Sequence, residues 1–249
     1  MRYTHLAMHG LLLAGLLVPE SALGLQLPEV TLDFTGDGQP DQVSVLLQIL
    51  FLLTVLSVAP GIVLMTTSFV RIVIVLSFIR QAMGTRNMPP NQVVIGLSLF
   101  LTFFIMSPIL GTINSQAIQP YLNQEIGDRE ALTLAIEPVR TFMFEQVREK
   151  DLQLLVDITQ SEAPQTREDV DTVTLIPAFM LSEIKRAFQI GFMIFVPFLV
   201  IDMVTASVLM SMGMLMLPPI IISLPFKVLL FVLVDGWHLV VQSLVQSFM

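Results

Sequence analysis

The sequence has no cysteine and only three histidines among its 249 residues. The first absence removes disulfides, thiolate nucleophiles, iron–sulfur clusters and cysteine zinc sites together, and it leaves the redox compartment open. The second leaves His5, His9 and His238, too few for a histidine-rich metal site within one subunit. Charge is scarce as well. Asp, Glu, Lys and Arg make up 13 % of the residues, about half of the roughly 25 % carried by a soluble domain. A net charge of −8 argues against nucleic-acid binding, which needs a basic face. Also missing are a Gly-x-x-x-x-Gly-Lys-Ser/Thr phosphate loop, a His-Glu-x-x-His zinc motif and a histidine beside a nucleophile. Neither an enzyme nor a cofactor is expected. What is present is apolar: 54 % hydrophobic residues and a mean hydropathy of +0.80 point to an integral membrane protein.

At the N-terminus, Arg2 and His5 precede an apolar run at residues 11–18, and Pro19 ends it. Ala22 and Gly24 are small residues placed as a signal-peptide cleavage site requires. Eight apolar residues are too few to span a bilayer, so residues 1–24 read as a cleaved signal peptide, with a short uncleaved anchor as the alternative. Residues 25–44 carry four aspartates and glutamates and no basic residue, and read as a linker outside the cytoplasm.

Four apolar blocks follow, at residues 43–79, 93–113, 187–217 and 220–248, with a polar stretch between the second and third. A helix rises 1.5 Å per residue, so a bilayer core of about 30 Å needs about 20 residues. The first and third blocks exceed that and must be broken, tilted or partly outside lipid. Pro60, Pro108, Pro197 and Pro225 each predict a kink within one block. Carbonyls freed at such kinks are tolerated only beside protein or water, so these helices should pack on protein more than on lipid. The fold class expected is all-α: a membrane-associated bundle of kinked hydrophobic helices at 45–113 and 184–249, with a helical region at 114–183. Within that region, the spacing of Met143, Val147, Leu154, Leu155 and Ile158 predicts one helix over residues 140–158, with Pro138 at its start. Residues 161–172 read as a loop.

Loop charge sets the orientation. Arg80 and Arg86 lie between the first two blocks with no acid, which reads as cytoplasmic. Residues 114–182 hold twelve acids and five basic residues, a net of −7, and read as periplasmic, with the mature N-terminus and the C-terminus on the same side.

Arg71, Asp202, Lys227 and Asp235 lie inside apolar blocks. A charge at the bilayer centre costs about 2.5–3.5 kcal/mol on insertion scales, so these four must be paired or reach water. They form either a proton or ion relay, or structural ion pairs and subunit contacts. The midpoint between Asp202 and Lys227 falls between residues 214 and 215. If the chain reverses there, the two stand at one level and can pair, within the chain or across a subunit boundary. A turn displaced by Pro218-Pro219 would instead set Asp202 opposite Asp235. Glu183, Lys185 and Arg186 edge the third block, and Glu183 and Arg186 are helical neighbours three apart, as a surface pair or as part of a subunit contact.

Met210, Met212, Met214 and Met216 alternate around Gly213, ahead of Pro218-Pro219. Glycine and the proline pair favour a loop or a broken helix. Methionine is unbranched and polarizable and adapts to partners of different shape. The four side chains either close a pore or fill gaps in a membrane bundle.

Three motifs in order resemble one family. They are Pro177-Ala178-Phe179 with Ser182-Glu183-Ile184-Lys185 and 187–192, then 223–227 with Asp235-Gly236-Trp237, and before them 71–84, Pro89-Pro90-Asn91-Gln92 and 100–104. Together they are similar to the FliP family of flagellar biosynthesis proteins, over about residues 45–248. The resemblance implies a core subunit of the type III export gate at the flagellar base in the bacterial inner membrane. It implies a pentamer joined by FliQ-type and FliR-type subunits, through which unfolded flagellar proteins pass. It also implies that helices stand largely above the membrane plane and that a methionine-rich loop seals the pore, with Leu215 interrupting the usual run. The signal segment fits the flagellar branch better than the injectisome one. The alternative function is a small proton or ion channel built on Arg71, Asp202, Lys227 and Asp235. A channel would conduct alone, and a gate subunit would be inert without its partners.

Overall fold

The computed structural model describes residues 40–85, 88–159, 166–167, 169–214 and 216–249. The expected signal peptide, most of the acidic linker, Leu215 and much of the loop expected at 161–172 lie outside the described residues. Among the described residues every regular element is helical, in agreement with the all-α expectation. The chain divides into two units, residues 1–51 and 52–249. The first is described only as the beginning of a helix.

That helix, α1 (Pro40–Met65), is apolar on every side, and its side chains from residue 45 onward are largely exposed. It runs through Pro60 without interruption. The first apolar block breaks instead at Thr66–Ser68, ahead of α2 (Phe69–Ala82). The cause is local. Thr66 Oγ1 donates to the carbonyls of Ile62 and Val63 at 3.1 and 3.2 Å, and Thr67 Oγ1 to that of Leu64 at 3.0 Å. Hydroxyls that bond the preceding turn compete with the helix ladder. With 14 residues, α2 is about 21 Å long and too short to cross a bilayer alone.

The breaks between helices do not fall at the prolines of the four blocks. Helix α3 (Asn91–Ile113) continues through Pro108 into a π-helical turn (Asn114–Ile118) and the short α4 (Gln119–Leu122). Helix α7 (Thr172–Ser211) has 40 residues and passes Pro177 and Pro197 unbroken, across the boundary expected at 183/184. A proline removes one intrahelical hydrogen bond without ending these helices. The fourth block forms α8 (Pro219–Leu233) and α9 (Gly236–Gln246), bent by 64°. The bend falls at Asp235, whose φ is +50°, and not at Pro225. Among the described residues three helices are long and apolar enough to cross a membrane, or four if the bent pair counts as one span.

The single helix expected over 140–158 is two. Helix α5 (Asp128–Gln146) starts where Asp128 and Glu130 favour the positive end of the helix dipole, so Pro138 sits in its interior. Val147 turns extended, and α6 (Glu149–Thr159) follows. The interruption resets the helical phase, which is why Val156 is buried while Leu154 and Ile158 face outward.

The core of residues 52–249 lies along α2. Ile72, Val75, Leu76 and Ile79 recur at helical spacing and are almost fully buried. They pack with Ala187 and Phe198 of α7, Val94 and Leu101 of α3, and Phe231, Val240 and Leu244 of α8 and α9. Gly191 lets α7 approach α2 closely, since a Cβ there would stand 2.7 Å from the Phe78 ring. A second cluster joins Met106 to Phe142, Met143, Leu175 and Phe179, and ties α5 to α3 and α7.

Candidate functional site

Arg71, the lone charge of the first apolar block, is completely buried. Its Nε donates to Glu183 Oε2 at 2.9 Å, and Nη2 donates to Glu183 Oε1. Nη2 also reaches Gln146 Oε1 at 2.9 Å, and Nη1 reaches the Ser247 carbonyl at 2.7 Å and its hydroxyl at 3.0 Å. All five guanidinium N–H groups are thereby satisfied, which is the condition for a buried charge to be tolerated. The guanidinium also lies 3.7 Å over the Phe248 ring, a favourable cation–π contact. Gln146 accepts a further bond from Arg186 Nη1 at 2.8 Å and donates to the Phe248 carbonyl at 3.2 Å. One guanidinium thus joins α2, α5, α7 and the end of the chain after α9.

The local pairing of Glu183 with Arg186 is corrected. Glu183 is fully buried and belongs to Arg71, 112 positions away, because it lies on the face of α7 turned to α2. Arg186, three residues on, meets Gln146 instead. Lys185 is exposed. Below Glu183, the Ser182 hydroxyl accepts from the Arg148 backbone N–H at 3.0 Å and donates to Asp151 at 2.7 Å, pinning the α5–α6 junction to α7. Burial acts to raise the Asp151 carboxyl, but hydrogen bonds from Arg148 and Ser182 and the charges of Arg148 and Lys185 hold it below the usual carboxylate range.

Toward the other end of α7, Lys227 Nζ stands 2.6 Å from Asp202 Oδ2 and donates to the Ala82 carbonyl at 3.1 Å. Ser223, one turn before Lys227, donates to Asp202 Oδ1 at 2.6 Å. The lysine side chain is 2 % exposed and the aspartate side chain 32 %. The geometry sets Asp202 opposite Lys227 and away from the alternative facing of Asp235.

Between α7 and α8 the chain reverses over the methionines. Ser211 ends α7, one residue after Met210, and Gly213 takes φ +75°, the left-handed conformation that closes a helix. The Gly213 and Met214 N–H groups return to the carbonyls of Met210 and Leu209. Met210, Met212 and Met214 are exposed, and Met216 is 98 % exposed. These side chains fill no core within the chain.

Asp235 departs from the expected buried ionic contact. It is exposed, and among the described residues its carboxylate has no hydrogen-bond or ion-pair partner. Sequence reasoning missed Gln146, Asp151 and Ser247, which carried no signal beyond being polar, and gave Ser182 no role beyond its place in a motif. Ser223 carried a weak one, as a lone hydroxyl one turn from a lysine in an apolar run.

Comparison with known proteins shows the family. A match to the FliP family covers residues 52–244. The chain is 57 % identical to the flagellar biosynthetic protein FliP of Bacillus subtilis over 213 residues, 86 % of this chain and 96 % of that one. It is 51 % identical to FliP of Pectobacterium carotovorum over 94 % of this chain and 90 % of the relative, and 46 % identical to FliP of Aquifex aeolicus over 90 % and 92 %. The chain belongs to the FliP family.

Proposed function

We infer that this protein is a pore-forming core subunit of the flagellar type III export gate, passing unfolded flagellar proteins across the bacterial inner membrane. The observation that carries the reading is the methionine turn. A chain whose buried polar groups are closely satisfied leaves Met210, Met212, Met214 and Met216 exposed at the tip of an apolar helical hairpin. Flexible thioethers at such a tip form an adaptable seal once copies are brought together, and a seal that yields to varied cargo suits a protein conduit. Several copies of one chain around an axis, a pentamer on the family resemblance, would turn the tips into a ring, with FliQ-type and FliR-type subunits completing the assembly. No catalytic step and no cofactor enter this reading. The acidic layer of α5 and α6 belongs on the periplasmic side and the Arg80 end of α2 on the cytoplasmic side, in the flagellar basal body.

The pairing of Arg71 with Glu183 and of Lys227 with Asp202 supports the gate over an ion channel. Both cations of the apolar blocks are held by fixed partners and are not strung along a path. The test is conductance of the purified full-length chain in planar bilayers, alongside secretion in cells. A gate subunit is silent alone and restores flagellar protein secretion to cells lacking it. Selective ion currents from the chain alone would overturn the reading.

A further inference from the structure

We propose that Asp235 and the apolar groove beside it dock an apolar helix of a different subunit, one that carries a lysine or arginine at that depth. This rests on the reading of the chain as a subunit of a membrane assembly.

The carboxylate is unused within the chain. Asp235 occupies the position that caps α9, yet its side chain makes no capping hydrogen bond. The reason is its left-handed backbone, φ 50° and ψ 54°, where a capping residue takes extended angles. A strained conformation of this kind persists only where the surroundings hold it, and such positions concentrate at functional sites. Among the described residues nothing else in the chain pairs with it.

Its surroundings are apolar. The neighbouring residues Val234 and Gly236 line a groove of about 340 Å³ together with Ile194, Pro197 and Phe198 of α7. Ser243 is the lone polar side chain on the lining. This places Asp235 beside the middle of the apolar part of α7, well away from the polar layer of α5 and α6. A carboxylate at that level facing lipid is strongly disfavoured and calls for a cation.

Within its apolar blocks a second copy of the chain does not supply one, and the exposed Lys185 stands at a different level, nine residues or about 13 Å before Ile194 along α7. Of the twelve lysines and arginines in the sequence, only Arg71 and Lys227 lie in apolar blocks, and both are engaged internally, with Glu183 and Asp202. Charge complementarity therefore assigns the groove to another polypeptide. Its apolar face fills the groove, and its single cation meets Asp235. A desolvated pair of this kind sets register and partner choice more than it adds affinity.

The experiment uses the full chain in native membranes, with a photo-reactive benzoylphenylalanine at Leu239, an exposed residue on the groove lining. The expected adduct joins a different polypeptide, within a few residues of a lysine or arginine in an apolar segment. In a companion preparation, Asp235→Asn should lower co-purification of that polypeptide by about ten-fold or more, while the number of copies of this chain per complex is unchanged. Adducts only with a second copy or with lipid would overturn the proposal. So would undiminished co-purification from Asp235→Asn. A wild-type chain that purifies with no other polypeptide would contradict the assembly reading itself, and the docking with it.

Discussion

The two ends of α7 solve opposite problems. Near Glu183, a charge is buried completely and every hydrogen-bonding group of Arg71 is matched by a group fixed elsewhere in the chain. At Ser211 the helix stops, and four methionines stand exposed. Asp202 and Lys227 lie between these extremes, with the lysine enclosed and the aspartate one-third open. Where the chain spends its polar groups on itself, the structure is self-sufficient. Where it leaves apolar, flexible side chains uncovered, the proposed function places its complement in the assembly. Substitutions should therefore lose their effect on stability from Glu183 to the methionine turn and gain an effect on sealing.

The largest loss is expected from Glu183→Ala. Removing one partner of a fully buried pair leaves the other charge uncompensated, at about 3–5 kcal/mol. Thermal unfolding in detergent and the level of chain in membranes should both fall sharply, and Arg71→Met combined with Glu183→Leu should recover much of the loss. A smaller effect is expected from Asp202→Asn, about 1–3 kcal/mol, because the open side of the pair admits water. Exchanging the residues, Asp202→Lys with Lys227→Asp, should restore stability only in part, since a carboxylate at 227 would face the Ala82 carbonyl that now accepts from the ammonium. Full recovery would show that the carbonyl contact contributes nothing. Gly191→Ala sets a methyl against the root of the Phe78 ring. Overpacking of this kind costs about 1–3 kcal/mol, and Phe78→Leu in the same chain should relieve it if the clash is the cause.

How much of this was legible depended on separation along the chain. The all-helical class and the reversal over the methionines followed from periodicity, Gly213 and the proline pair. Asp202 and Lys227 could be set at one level because a single hairpin joins them. The partner of Glu183 could not, because it lies 112 positions away with four further α-helices between, and a local Arg186 offered a plausible substitute. Breaks were misplaced for a related reason. Proline is conspicuous in sequence, yet Pro60 and Pro197 cost one hydrogen bond each inside otherwise intact helices. The real interruptions, at Thr66–Ser68 and Asp235, come from hydroxyls that bond the preceding turn and from one residue in a left-handed conformation. Gln146 and Ser247 gain their roles only from what the fold brings to Arg71.

A smaller, pH-dependent effect tests the outer layer. The Asp151 carboxyl is held below its unfolded value of about 3.9. Its contribution is complete above that value and is lost as pH falls through the folded one. Hydrogen exchange in α6 should accelerate below about pH 4 in the native chain, and Asp151→Asn should flatten that dependence while raising exchange at neutral pH.

Deletion of residues 210–216 should change the stability of the chain least and the behaviour of the assembly most. The direct measurement is small-ion conductance across membranes holding the closed assembly, with and without the deletion, at matched amounts of complex. The account predicts a leak in the deleted assembly with its subunit composition intact. Unchanged conductance in a correctly assembled deletion complex would contradict it.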